Sequence, residues 1–490
     1  MAGSGDRRWL LPLLLALCIT RFWLLPLPSS FWLDETATVF VARHGSQHPS
    51  LAVAAPQAWH SWYYALIRWN GALFGYSEIA TRLVSVLAML VFLGLFARVA
   101  ARLVHPQAAW FAVFACLALP GFNYQAANAR PYAVGMLVFA AAVWLLVRWL
   151  DSGNWLPGAG FAVAAAAVLY IHLLFWPCCL VFALYTAARL AYGKTPVGRG
   201  RATLVFAAAA MLAFPVVAET VELLRDARAH VIAPLPSWKE FVRSLEPALL
   251  VACAAGAWVL ARLWRRRREP IGLEAPALVL IGAWWLCQPA GLYAFSRLTG
   301  DAVFVPRYLQ LALPGAALAA TAAAAQFLSS TQWSRAALVM AFAALLFGGA
   351  WRTLWPRHHN SDWRAAARAV NQIEATSAVP VICPSPFIEA RPPAWQPNYS
   401  LPGFLYAHLD VYPIASKPYL FPFETSPKAE SYASALSATV LLPSHRFLIY
   451  GWEPQVHFWR DWFARRPEFN GWRQRRLGPF ADVDVVLFEQ

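Results

Sequence analysis

A succession of apolar runs constrains this chain most. Each approaches the roughly 20 residues that a helix needs to cross a hydrocarbon core. Eleven such runs fall near 9–27, 83–101, 107–124, 131–149, 157–173, 175–191, 203–219, 246–263, 275–296, 308–327 and 335–354. In lipid every main-chain N–H and C=O must be paired inside the protein, so runs like these are expected to form helices. Composition agrees. Hydrophobic residues make up 59% of the chain and charged residues 13%, against about 25% charged in ordinary soluble domains. That balance excludes a soluble enzyme, a disordered chain and a collagen-like rod. The expected fold class is a polytopic α-helical membrane protein with about 11 transmembrane helices.

Charge orients it. The net charge is +15, which in a soluble protein would suggest nucleic acid. Here the basic residues cluster between apolar runs, as membrane proteins place them in cytoplasmic loops. Arg7 and Arg8 precede the first run, and no small-residue cleavage pattern follows it, so it reads as a retained helix with a cytoplasmic start. Alternation then puts Arg98 and Arg102, Arg148, the cluster Arg189, Lys194, Arg199 and Arg201, the cluster Arg262 with Arg265 to Arg268, and Arg335 inside. An odd number of spans leaves the C-terminus on the exterior, periplasmic face of a cell (inner) membrane. No nucleic-acid partner is expected. Six of the seven cysteines lie in apolar runs and no CxxC occurs, which argues against a disulfide framework and a cysteine metal site.

Two stretches are not spans. Residues 28–82 read as an exterior loop within a transmembrane domain of 1–354, with Trp59, Trp62, Tyr63, Tyr64 and Trp69 on an interfacial helix. Residues 355–490 read as a small C-terminal exterior α/β domain. A helix is expected after Ser361-Asp362 and another near 455–466. Strands are expected at Val379–Cys383, Thr439–Leu442, Phe447–Tyr450 and Val483–Phe488, with 384–428 irregular.

Four features bear chemistry, and the expected topology puts all of them in one exterior layer. Asp34-Glu35 are adjacent carboxylates flanked by apolar residues, costly at an interface unless something uses them; acids favoured in the first turn of a helix explain them equally well. Asn128-Ala-Arg130-Pro-Tyr132 offers an arginine for phosphate or for lipid headgroups. Tyr170-x-His172 offers a histidine that ordinary packing also accounts for. Pro306-Arg307-Tyr308 opens the run after it. Guanidinium groups bind phosphate bidentately, and a carboxylate can accept a proton from an attacking hydroxyl. A lipid-phosphate sugar would suit such a layer, because cations can stabilise the leaving phosphate and one base then suffices.

In these residues the chain resembles the GT-C glycosyltransferases of the protein O-mannosyltransferase type, glycosyltransferase family 39, and the related bacterial aminoarabinose transferases. The resemblance rests on Asp34-Glu35, Ser61-Trp-Tyr63-Tyr64, Phe74-Gly-Tyr-Ser-Glu78-Ile-Ala-Thr-Arg82, Ala129-Arg130-Pro-Tyr132, Tyr170-x-His172, Pro306-Arg307-Tyr308 and Asp362-Trp363-Arg-Ala-Ala, in that order. Asn128 stands where many relatives carry an acid, and Trp62 replaces the usual Pro before the Tyr pair. The resemblance implies a polyprenyl-phosphate sugar donor and single displacement with inversion. Asp34 would be the base with Glu35 alongside, and Arg130 and Arg307 would hold donor phosphate. Tyr63, Tyr64, Arg82, Tyr132, His172 and Tyr308 would complete the substrate site. Family members differ in whether they bind a divalent cation, so that cofactor stays open and no metal ligand is assigned. The acceptor, whether protein, lipid or cell-envelope glycan, is not implied. Two other readings are a transporter or flippase of a lipid-linked substrate and an inactive GT-C-like scaffold. Ionisable residues gathered at one surface rather than at mid-membrane favour chemistry over passage.

Overall fold

The computed structural model describes residues 9–54, 61–226, 234–263, 272–349, 351, 353 and 355–490. Arg7, Arg8, Trp59 and Arg265 to Arg268, named above, lie outside the described residues. The chain forms two compact units. One comprises residues 1–27, 60–63 and 82–356, and the other 28–59, 64–81 and 357–490. Packing therefore divides the chain differently from hydropathy. Most of the long loop between the first two apolar runs goes with the C-terminal residues.

The first unit is helical, and each of the eleven apolar runs carries helix. Among the described residues five helices are long and apolar enough to span: Glu78–Leu103, Tyr132–Ser152, Leu173–Ala191, Arg199–Glu219 and Ala275–Thr299. Trp238–Ser244 and Pro247–Leu263 would add a sixth, bent by 45°. Others are apolar but shorter, such as Leu10–Leu24, Trp155–Ile171 and Ala312–Ala325. Helix length alone therefore does not fix the number of spans at eleven. The run at 107–124 breaks before Pro120, which cannot continue the hydrogen-bond ladder. Asn123 bridges the break, donating to the main-chain oxygens of Leu117 at 2.7 Å and Gly348 at 2.8 Å and accepting from Trp23 Nε1 at 2.9 Å.

The two ends of this unit differ in chemistry. At one, Asp151 joins Arg102 at 3.0 Å to Arg189 at 2.8 Å, so loops assigned to a single side by charge do converge. Tyr132 begins the helix that Asp151 nearly ends, and its 21 residues rise about 30 Å. Tyr132 and its neighbours thus lie a membrane's thickness from the ionic end.

The second unit holds a five-stranded sheet of β1 (Val381–Pro384), β2 (Tyr419–Phe421), β3 (Arg446–Trp452), β4 (Arg473–Phe480) and β5 (Val483–Glu489), in the order β2-β1-β3-β5-β4. β1 pairs parallel with β2 and β3, and β5 pairs antiparallel with β3 and β4. The helix Trp363–Glu374 covers the Tyr450 face through Trp363, and the helix Glu453–Ala464 covers the opposite Phe447 face through Phe463. Asp362 caps the first helix, accepting from the Ala365 N–H at 3.1 Å, as its start signal implies.

One expected strand is wrong. Thr439–Leu442 lies in a helical segment, Ser437–Leu441 running into Leu442–Ser444, because it continues the helix Pro427–Leu436 and finds no strand partner. The expectation of an irregular 384–428 missed β2, whose three residues are too few for a period. Outside that stretch β4 was not among the expected strands, since Arg473, Arg475 and Arg476 hide an exposed edge strand.

Candidate functional site

In the helical unit the candidate residues gather around a break. The helix Trp155–Ile171 stops at His172, whose backbone is extended (φ −160°, ψ 122°). A short 3₁₀ turn, Leu173–Cys178, follows. Two glycines admit this turn between neighbouring helices. A Cβ at Gly135 would lie 2.4 Å from the Phe175 ring, and one at Gly291 would lie 2.7 Å from Pro177. Neither position has room for a side chain.

The His172 ring then sits between two tyrosines. Its centroid is 5.9 Å from that of Tyr132 and 5.5 Å from that of Tyr308. The Arg307 guanidinium lies 5.2 Å over the Tyr308 ring. Main-chain oxygens on both sides are held: Gln288 Nε2 donates to Tyr308 at 2.6 Å and Ser85 Oγ to Asn128 at 2.6 Å. Ser61 Oγ donates to Ile171 O at 3.0 Å, and Trp62 stacks on Tyr170 at 4.6 Å. That pairing ties the short 61–63 segment, with buried Tyr63, to the same break.

Two guanidinium groups act on His172 through their charge. Burial first, then the charges of Arg130 and Arg307, lower its pKa to about 3. The ring lies at the break, outside both flanking helices, and stays neutral. Its Nδ1 accepts the Leu174 N–H at 3.3 Å, so the proton of the neutral ring is on Nε2, which is left as a donor. A half-buried Arg130, an exposed Arg307 and this Nε2–H make a cationic, donor-rich place suited to an anion. Arg82 differs. It is buried and donates to Leu27 O at 2.9 Å, which holds the end of the first helical segment.

In the second unit Asp34 and Glu35 open the helix Leu33–His44. Acids there face the positive end of the helix dipole. The two carboxylates differ in burial. Glu35 is fully buried, accepts the Trp32 N–H at 3.2 Å and lies 3.9 Å from His358 Nε2. Asp34 is half-buried. Tyr64 belongs to the helix Trp62–Phe74 and is also half-buried. Asp34, Glu35 and Tyr64 fall in one unit, and Tyr63, Arg82, Arg130, Tyr132, His172, Arg307 and Tyr308 in the other.

Tyr412, Glu78 and Arg364 escaped assignment by sequence. Tyr412 Oη accepts the Phe31 N–H at 2.8 Å and donates to Glu78 Oε1 at 2.6 Å, while Arg364 forms an ion pair with the same carboxylate. Tyr412 lies 381 positions from Phe31 in a stretch without periodicity, so no local signal marks it. As for metals, Glu453, His457 and Asp484 are the one grouping among the described residues with suitable ligand atoms. Arg476 binds both of its carboxylates, at 2.7 Å and 2.8 Å, so a guanidinium already supplies the positive charge.

The chain matches the model of a family described as dolichyl-phosphate-mannose-protein mannosyltransferase over residues 60–220. ArnT from Cupriavidus metallidurans in the apo state superposes with a TM-score of 0.58 at 13% identity, covering 99% of this chain and 98% of that one. The fold is that of the GT-C glycosyltransferases. A second structure of the same GT-C protein, bound to undecaprenyl phosphate, matches with a TM-score of 0.55, also at 13% identity and with the same coverage. No curated protein sequence matches the chain. The GT-C fold and the apolar helices make this a multi-pass membrane protein.

Proposed function

We propose that this GT-C protein transfers a sugar from a polyprenyl-phosphate donor to a hydroxyl acceptor on the exterior face of the membrane, by single displacement with inversion. One observation carries the reading: Arg130 and Arg307 both bear on His172, between Tyr132 and Tyr308, at the end of the helical unit opposite its Arg102–Asp151–Arg189 cluster. A donor phosphate is the ligand such a set would take. The ArnT structure bound to undecaprenyl phosphate supports the carrier class, at the level of a shared fold.

In this reading the Asp34 carboxylate removes the acceptor hydroxyl proton as the oxygen attacks the anomeric carbon. The bond from that carbon to the phosphate oxygen breaks, and the polyprenyl phosphate leaves with the electron pair. Arg130 and Arg307 stabilise the charge developing there, and the His172 Nε2–H adds a neutral donor. No general acid is required, since phosphate leaves without one. Tyr63, Tyr64, Tyr132 and Tyr308 would supply flat surfaces for sugar or isoprenoid. Arg82 would act through the main chain it holds.

The test is a panel of radiolabelled polyprenyl-phosphate sugars offered to the full-length protein in proteoliposomes. Label moving from one donor to any acceptor, and failing to move with Asp34→Asn, supports the reading. Turnover equal to wild type in Asp34→Asn removes the base. Label transported across the bilayer without transfer would replace the reading with that of a flippase.

A further inference from the structure

The surroundings of His172 leave a polar network in the second unit unexplained. That network surrounds the few residues leading into the Asp34 helix. Arg364 Nη2 donates to Pro28 O at 2.9 Å, and the Arg364 N–H donates to Ser30 Oγ at 3.3 Å. The His358 N–H donates to Ser29 Oγ at 3.0 Å. Tyr412 takes the Phe31 N–H, Glu35 takes the Trp32 N–H, and the Trp32 ring stacks on His359 at 4.9 Å with 10° between planes. Five consecutive residues before Leu33 are therefore each engaged by a side chain or main-chain group, mostly from the 357–412 region.

At the far end of the same helix, Arg43 donates to Asp410 O at 2.9 Å and His44 lies 3.1 Å from Asp410 Oδ1. Asp410 and Tyr412 are two residues apart, so one short segment holds both ends of the Asp34 helix. Tyr412 is the pivot. Burial first, and then the charge of Glu78, raise its pKa, so its hydroxyl keeps its proton. That proton goes to Glu78 Oε1 and leaves the hydroxyl lone pairs for the Phe31 N–H. Arg364 fixes Glu78 from the other side through Nε at 3.1 Å. Glu78 and Arg364 come from two motifs, Glu78-Ile-Ala-Thr-Arg82 and Asp362-Trp363-Arg364-Ala-Ala, that sequence spacing alone leaves unrelated.

We propose that Tyr412, braced by Glu78 and Arg364, is a positioning residue that sets the direction of the Asp34 carboxylate. This rests on Asp34 being the base. The physical reason is geometric: Asp34 is the second residue of its helix, and the rotation of a first turn follows the main chain that enters it. A hydrogen bond to the Phe31 N–H, three residues before Asp34, fixes that entry. Misplacement of a reacting group by about 1 Å can lower a rate a hundredfold.

The test uses the full chain in proteoliposomes, with the donor that turns over in the panel above. Tyr412→Phe removes the hydroxyl and keeps the ring. The expected result is a roughly tenfold to hundredfold fall in kcat, donor KM within about twofold, and an unchanged stoichiometry of undecaprenyl phosphate binding, which excludes a loss of folded protein. Glu78→Gln keeps an oxygen acceptor for Tyr412 and should retain more activity than Glu78→Ala. If Asp34→Asn is inactive and Tyr412→Phe has wild-type kcat, the positioning role is wrong and the base stands. If Tyr412→Phe lowers kcat only in proportion to lost undecaprenyl phosphate sites, or Glu78→Gln equals Glu78→Ala, the role is merely structural. Wild-type activity in Asp34→Asn overturns the base, whatever Tyr412 does.

Discussion

The surroundings of His172 and those of Asp34 balance packing and hydrogen bonding differently. Around His172 close packing dominates, by Phe175 against Gly135, Pro177 against Gly291 and two tyrosine rings, with Ser61, Ser85 and Gln288 bonding the main-chain oxygens nearby. Around Asp34 the positioning is polar: Tyr412, Arg364, His358 and Glu78 engage main chain and hydroxyls. The difference follows from solvent. A segment within reach of lipid cannot leave polar groups unpaired, so close packing is the affordable tool there. A segment in a mixed sheet domain has side-chain donors to spend. The comparison teaches that a cationic region can be set largely by shape, while a carboxylate at a helix start is set through the main chain that leads into it.

The comparison can be broken at four places. Asp34→Asn should lower transfer by at least about a thousandfold, within the range of a lost general base, read by single-turnover assay; a fall below tenfold would sever the second unit from the chemistry. Arg130→Ala and Arg307→Ala should each raise donor KM by about tenfold to a hundredfold, as expected for a lost charge-assisted contact, with acceptor KM steady. If acceptor KM moves instead, the cationic region belongs to the acceptor. Gly135→Val should cost about 1–3 kcal/mol through overpacking against Phe175, visible as a lower melting temperature, with a smaller loss of kcat. An unchanged melting temperature would show that the break is not sterically held.

The smallest effect concerns pH. With its pKa lowered to about 3, His172 stays neutral from pH 5 to 8, so kcat should carry no inflection near 6.5 that His172→Gln removes. Stability runs with a definite sign. The unfolded ring takes up a proton as pH falls through about 6.5, and the folded ring does not until about 3. His172 therefore destabilises the fold progressively as pH drops below 6.5. A His172-dependent inflection near neutrality would show the ring to be charged and far from both arginines.

Much of this was legible along the chain. Apolar run length fixed where helices form, because lipid permits few alternatives, and clustered arginines predicted loops that Asp151 does bring together. Short β-prone apolar runs at Phe447–Tyr450 and Val483–Phe488 marked two central strands. Arg130, Tyr132, His172, Arg307 and Tyr308 are scattered over 179 positions, yet span topology alone placed them in one layer. The same reading could not separate Glu35, spent on capping and His358, from Asp34, since adjacent acids look alike in one dimension.

What tertiary structure decided was pairing across long separations. Hydropathy and helix signals are local, reporting only a residue's own surroundings over a few turns. The bond from Phe31 to Tyr412, the ion pair of Glu78 with Arg364, and the grouping of residues 28–59 with 357–490 involve no periodic signal. A buried main-chain N–H such as that of Phe31 must find some acceptor and a buried charge some partner, and only the folded chain determines which one is near.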